Sequence, residues 1–285
     1  MKTQSIGVEI EFTGITRADA AKVIGNFFNR PALHTGGGYD KYAVKANDGR
    51  NWTVMSDSSI RTANPYARCE LVTPILRWDD IETLQQIVRK LRHAGAKVND
   101  SCGMHIHIGA DLLNAKQIRN LVNLVASREE IFYNALGVHE NRKRYCAPTN
   151  QRFLFELNQK KPATLDELEP VWYGDNGCHN FHYDDSRYRI LNLHALFTKG
   201  TVEFRIFNAT LHAGEVKAAI QFVAALVAFA QKTSRASHRK IETDNEKFAM
   251  RTFLTRLGLN GDEFKTARLH LTKHLEGNAA WRFAV

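Results

Sequence analysis

The octapeptide Thr201-Val202-Glu203-Phe204-Arg205-Ile206-Phe207-Asn208 alternates in polarity, and successive side chains of a β-strand point to opposite faces. Val202, Phe204 and Ile206 therefore share one face and Glu203 and Arg205 the other, with Phe207 as the one exception. The same design recurs twice. Gly7-Val8-Glu9-Ile10-Glu11-Phe12 sets two carboxylates on one face, and Met104-His105-Ile106-His107-Ile108 sets two imidazoles on one face. If the three strands share a sheet, its polar face holds Glu9, Glu11, His105, His107, Glu203 and Arg205, a set that suits a divalent metal and a phosphate. Each pair alone also fits an ordinary sheet. Glu9 and Glu11 would then be a solvated face, and Glu203 and Arg205 a cross-strand pair worth ~0–1 kcal/mol when exposed. The combination points to a site, because an exposed sheet face usually mixes Thr, Lys and Gln rather than ligand types only.

The 285 residues, 44% hydrophobic and 24% charged, have the composition of a soluble protein with room for a substantial core. A net charge of +9, from 39 Lys and Arg against 30 Asp and Glu, leaves nucleic acid or an acidic polymer open as a partner. The excess forms no compact tract, only short clusters such as Arg142-Lys143-Arg144 and Lys160-Lys161, so a generally basic surface is the preferred reading. Four cysteines (Cys69, Cys102, Cys146, Cys178) contain no C-x-x-C pair, which argues against a zinc knuckle and supplies no disulfide framework. The opening MKTQSIGVEIEF has no apolar signal core. The apolar run Ala218 to Ala230 is too short, and too closely flanked by Lys217 and Lys232, to span a bilayer. No membrane partner is expected, and the expected location is cytoplasmic.

Outward from these strands, Thr16 predicts the cap of a helix running to about Asn29, and Gly36-Gly37-Gly38 a linker or mobile lid. The glycine triplet lacks the G-x-x-x-x-G-K-[ST] spacing of a phosphate-binding loop. Tyr42 to Ala46 and Asn51 to Met55 read as a hairpin around Asn47-Asp48-Gly49, followed by Asp57 and a short strand with Glu70 that stops at Pro74. Asp79 or Asp80 opens a helix closed by Gly95, and Asn114 opens a long one ending at Gly137. Residues 138 to 185 are polar and aromatic with three prolines, as a substrate loop or insertion would be. Within it Cys146 has no base in sequence to activate it, and is read as structural or substrate-contacting. Arg187 to Leu193 reads as a strand, joined to the octapeptide by a hairpin turn at Phe197 to Gly200. A helix from about Ala213 to Lys232 is apolar on most of its circumference and is expected against the back of the sheet. Asp244 opens a further helix, and a last one covers about Asp262 to Leu275. The β-then-α succession occurs only twice, which excludes a doubly wound parallel fold.

Taken together, GVEIEF, Asp57 with ELVTP, GMHIHIG, RYRILNL and GTVEFRIFN resemble the amidoligase family of the glutamine synthetase and glutamate–cysteine ligase superfamily. The resemblance runs from about residue 5 to residue 230 and is tightest in GMHIHIG and GTVEFRIFN. It implies an α+β domain over residues 1–285, with a core of about 5–232 and a C-terminal helical extension of about 233–285. A curved antiparallel sheet would carry the active site on its concave face, with helices packed behind. It implies an ATP-dependent carboxylate–amine ligase acting through an acyl phosphate, with Mg²⁺ or Mn²⁺ as the metal. Residue by residue, Glu9, Glu11, Glu70, His105 and Glu203 match metal ligands, and His107 a position nearer ATP. Arg205 matches the arginine facing the transferred phosphoryl group, and Arg189 and Asn192 fall in a phosphate-binding strand. These last two have opposite parity, so both face the site only across a bulge or at a strand end.

That chemistry is physically coherent. A carboxylate is a poor electrophile until a phosphoryl group supplies a leaving group, and the site must then neutralise phosphate charge and align the reactants. Oxygen-rich ligands with one imidazole accept Mg²⁺ or Mn²⁺. Two rivals stay open: a metallohydrolase using the His-x-His and carboxylate set without ATP, and a catalytically idle binder of nucleotide or nucleic acid. The carboxylate and amine substrates, small molecules or peptides, are for the loops around 138 to 185 to choose.

Overall fold

The computed structural model describes residues 1–174, 178–181 and 183–282. In chain order the elements are β1 (Ile6–Phe12), α1 (Arg17–Phe28), β2 (Ala32–Gly36), β3 (Lys41–Lys45), β4 (Asn51–Met55), β5 (Cys69–Val72), α2 (Ile81–His93) and β6 (Gly103–Gly109). There follow α3 (Ala115–Ala126), α4 (Glu129–Leu136), α5 (Gln151–Lys160), α6 (Leu165–Tyr173), β7 (Leu191–Asn192), α7 (His194–Lys199), β8 (Thr201–Asn208), α8 (Ala213–Lys232), α9 (Glu246–Arg256) and α10 (Lys265–His270). The strands form one open sheet in the order β2-β3-β4-β5-β1-β6-β8-β7, antiparallel throughout. Fold class is thus α+β, as expected.

Alternation sets the faces. Ile6, Val8, Ile10 and Phe12 of β1 and Met104, Ile106 and Ile108 of β6 are buried in one apolar core with Ile220, Phe222, Val223 and Leu226 of α8. Helix α8 packs on β6 and against α2, α3 and α10. By length and composition α8 would cross a membrane, but here most of its surface is inside the core. The expected packing behind the sheet is what forms.

Phe207 has a structural explanation. Met104 lies opposite Phe207 and Ile106 opposite Phe204, so β8 has one more residue than β6 across this step. The extra residue is a β-bulge opposite His105, and beyond it the parity of β8 switches. Phe207 therefore joins Met104 on the helix side.

Several boundaries differ from expectation. The run before Gly36 is a strand, and Gly36 and Gly37, at φ 67° and 77°, turn it tightly into β3 rather than forming a linker. The helix expected from Asn114 to Gly137 breaks at Ser127-Arg128, where the Ser127 carbonyl accepts the Ile241 N–H. The stretch 138 to 185 holds a 3₁₀ turn (Glu140–Tyr145), α5 and α6; residues 175–177 and 182 of it lie outside the described residues. The strand expected over Arg187 to Leu193 shrinks to Leu191–Asn192. Asn192 Oδ1 accepts the His194 N–H at 2.8 Å and starts α7 at once, so Phe197 to Gly200 is a helix end rather than a hairpin turn. Asn245, not Asp244, caps α9, and the last helix is the shorter α10; residues 283–285 of the extension lie outside the described residues.

Candidate active site

Register alone assembles the polar face. Glu11 lies opposite Glu70, Glu9 opposite His105, Gly7 opposite His107, His107 opposite Glu203, and Glu203 opposite Asn192. Directly opposed residues share a face, so this series spans β5, β1, β6, β8 and β7 without interruption. Gly7 is the one member with no functional group; a Cβ there would stand 3.3 Å from the His107 Cβ, so glycine leaves that ring its place.

The distances bring together two overlapping groups of possible ligands that share His105. His105 Nδ1 is 3.2 Å from Glu9 Oε2 and 3.8 Å from Glu203 Oε1, while its Nε2 is 3.9 Å from Glu11 Oε1. Glu9, His105 and Glu203 form one possible ligand group and Glu11, Glu70 and His105 another, with ligand atoms of each set within 4.8 Å of one another. A proton on Nδ1 shared with Glu9 leaves the Nε2 lone pair facing Glu11, the carboxylate–imidazole–metal arrangement seen at many metal sites. Both His105 Nε2 and His107 Nε2 are buried without a hydrogen bond. His107 Nδ1 lies 2.9 Å from Thr201 Oγ1, and its Nε2 lies 3.4 Å from Glu9 Oε1.

Around these, Arg205 Nη1 pairs with Glu203, and its Nε donates to the Tyr145 carbonyl at 3.3 Å. Asn192 Nδ2 donates to the other Glu203 oxygen at 2.7 Å. The Gly103 N–H donates to Glu11 Oε2 at 2.6 Å, and Lys199 Nζ lies 3.7 Å from Glu9.

Burial sets the protonation pattern. It pushes Glu11 up to about 7, aided by Asp57 and opposed by Arg142. Glu70 is raised well above the ordinary range by burial and then by the charges of Glu9, Glu11 and Asp57. Glu203 is buried too, but Arg205 and the two histidines hold it at about 2. Glu9 overcomes its burial through its hydrogen bond to His105 and its close approach to His107, and sits well below the ordinary value. Burial, with Arg205 second, lowers His105 to about 4, which keeps the ring neutral and its lone pair available. His107 is raised, because Glu203 and Glu9 outweigh its burial.

The structure therefore brings together Glu9, Glu11, Glu70, His105, His107, Asn192, Glu203 and Arg205. It does not bring Arg189, whose guanidinium donates to the Pro148 carbonyl at 3.0 Å and whose backbone bridges Ala147. The parity conflict with Asn192 is resolved by a strand too short to carry both. Cys146 is fully buried, its Sγ donates to the Arg142 carbonyl at 3.3 Å, and burial raises its thiol, so it is structural.

Sequence reasoning missed Arg142. It is 1% exposed, its Nη2 donates to the Arg205 carbonyl at 3.0 Å, and its Nη1 lies 3.9 Å from Glu11. A Cβ at Gly103 would fall 1.9 Å from that guanidinium, so glycine is required where Arg142 reaches under β6. Also missed were Tyr39, Tyr183, Arg187 and Lys199, which line a cleft of about 320 Å³ over the carboxylates. Tyr39 and Tyr183 touch through their hydroxyls at 2.7 Å. None of these carries a local motif; only the folded chain collects them.

An α+β fold with paired carboxylates and imidazoles on one sheet face collects the groups of an enzyme-type site, including side chains that could hold a metal ion. Residues 2–227 match the family model described as "putative amidoligase enzyme", and the chain belongs to the amidoligase family of ligase-type enzymes. The match ends within α8, so α9 and α10 lie beyond it. No curated protein matches the chain.

Proposed function

We propose that this protein is a carboxylate–amine ligase that uses ATP with Mg²⁺ or Mn²⁺ and proceeds through an acyl phosphate, on a glutamine synthetase-like catalytic fold. The observation that carries the reading is the charge balance of the cleft. Glu9, Glu11, Glu70 and Glu203 surround two imidazole nitrogens without hydrogen bonds, and among the described residues Arg205, Arg142 and Lys199 stand against them. Buried charges require partners, and this deficit suits divalent cations. Either Glu11, Glu70 and His105 or Glu9, Glu203 and His105 would hold a cation, since the neutral imidazole has one lone pair to give. The metal would neutralise phosphate oxygens and orient the nucleotide.

The protein's own groups do the rest. Arg205 commits one N–H to Glu203 and one to Tyr145, which leaves further donors of its fork for the transferred phosphoryl oxygens. His107 and Asn192 extend the polar surface on the nucleotide side. Lys41, Arg187 and Lys199 give the cleft wall the positive charge that an anionic substrate needs. Removal of water from this lining strengthens each of these interactions.

The test is product analysis with purified protein, Mg-ATP and a panel of small carboxylates and amines. ADP and phosphate released only when both substrates are present, in step with an amide product, is the expected result. Bond cleavage without ATP would favour a metallohydrolase instead, and AMP with pyrophosphate would overturn the acyl phosphate.

A further inference from the structure

We propose that His212, Glu215 and His270 form a second metal site, for a divalent transition ion of the Zn²⁺ type, on the helix side of the sheet. His212 is the N-cap residue of α8, Glu215 sits in its first turn, and His270 ends α10. Their ligand atoms lie within 4.8 Å of one another, and the two rings are 5.0 Å apart. His212 is exposed, and its Nδ1 accepts the Glu215 N–H at 3.3 Å as the helix cap, a bond that a metal on that nitrogen would replace.

Two features mark the cluster as more than a capped helix end. First, His270 Nδ1 is buried with no hydrogen bond and stands 3.8 Å from Glu215 Oε1. Second, Glu215 is oriented from behind, its Oε2 accepting from Thr210 Oγ1 at 2.6 Å, as outer partners orient metal carboxylates. Lys273 Nζ, 2.5 Å from Glu215 Oε1, is the cation that a metal would have to displace.

Ligand chemistry separates this site from the cleft. Two imidazoles and one carboxylate select Zn²⁺, Co²⁺ or Ni²⁺, whereas the carboxylate-rich cleft suits Mg²⁺ or Mn²⁺. Three protein ligands also leave a coordination position open. Glu215 and His270 line a cavity of about 350 Å³ floored by Met104, Phe207 and Ala218, where a small donor molecule can complete the sphere.

The experiment is Zn²⁺ titration of the full chain by calorimetry, for the parent, His270→Gln, His212→Gln, Lys273→Met and the cleft variant Glu203→Gln, each checked for folding by thermal melting. The parent is expected to show one class of Zn²⁺ that both histidine variants lose and Glu203→Gln keeps. Lys273→Met should tighten that class several-fold, because the competing ammonium is gone. His212→Gln keeps the test sharp if His270→Gln disturbs folding, since His212 is exposed. Equal Zn²⁺ stoichiometry in the parent and His212→Gln, unchanged affinity in Lys273→Met, or loss of every Zn²⁺ equivalent in Glu203→Gln would each overturn the proposal.

Discussion

Strand β6 has two faces, and both are buried. Met104, Ile106 and Ile108 meet α8 and its neighbours, while His105 and His107 meet Glu9, Glu11 and Glu203. Exposure therefore does not separate the core from the site; ionisable side chains do. On the helix face the strand's own side chains are apolar, although Gln221 in the helix layer is buried without a hydrogen-bond partner among the described residues. On the cleft face two imidazole nitrogens have no hydrogen bond, and two carboxylates are pushed far above their ordinary range. One face holds the fold together, and the other stores repulsion that a cation would relieve.

A matched pair of substitutions tests that contrast. Phe222 on α8 is 1% exposed and meets Phe132 edge to face at 5.2 Å. Phe222→Ala should cost about 3–5 kcal/mol of stability in denaturant unfolding and leave turnover per folded molecule near the parent's. Arg205→Lys should do the reverse. Its charge survives but its fork does not, so turnover should fall by roughly 2–4 kcal/mol in activation free energy while nucleotide affinity and melting temperature stay close to the parent's. Unchanged turnover in folded Arg205→Lys would erase the distinction between the faces.

The cleft face was readable wherever alternation sufficed. Glu9 and Glu11, His105 and His107, and Glu203 and Arg205 share faces because a strand has a period of two, and α8 reads as buried because it has almost no polar stripe. What was not readable is register and long-range approach. That Glu9 opposes His105 and Glu11 opposes Glu70 depends on strand pairing that no local pattern encodes. The bulge behind Phe207 showed in sequence only as a broken alternation. Arg142 looked like part of a basic cluster, and its role rests on Gly103, which is 39 positions away. Arg189 misled because RYRILNL has the composition of a strand, whereas Asn192 Oδ1 takes the His194 N–H and the pairing ends after two residues.

The titration of Glu11 sharpens the comparison further. Its folded pKa of about 7 lies above the ordinary 4.5, so the folded state binds this proton more tightly than the unfolded one. Where the folded state holds the extra proton, stability falls as pH rises. Metal-free parent should thus lose stability relative to Glu11→Gln between about pH 4.5 and 7. His105, lowered to about 4, works in the opposite direction over part of this window, so the difference between the two proteins is the quantity to follow. Melting curves across this range, without metal and then with saturating Mg²⁺, provide the check. The difference should shrink when Mg²⁺ is present, because a bound cation replaces the proton. Parallel curves for parent and variant would mean that burial of Glu11 stores no repulsion.

The smallest effect asks whether the repulsion is general to the carboxylates or local to one. Glu70 accepts no hydrogen bond among the described residues and is raised by burial and by Glu9, Glu11 and Asp57 together. Glutamine at this position keeps the shape and cannot ionise, so folding no longer has to force a proton onto a buried carboxylate. On the helix face, truncation of a buried side chain can only lose contacts. On the cleft face, Glu70→Gln should stabilise the metal-free protein by about 0.5–2 kcal/mol, the range typical of relieving an unfavourable functional group. Its sign should reverse at saturating Mg²⁺, where the parent gains binding free energy that the variant, short of one ligand, cannot match. Unfolding at neutral pH, with and without Mg²⁺, measures both halves. A variant less stable than the parent without metal would show that Glu70 is held by attraction in the folded state, and the account of the cleft as a store of unpaired charge would then have to be given up.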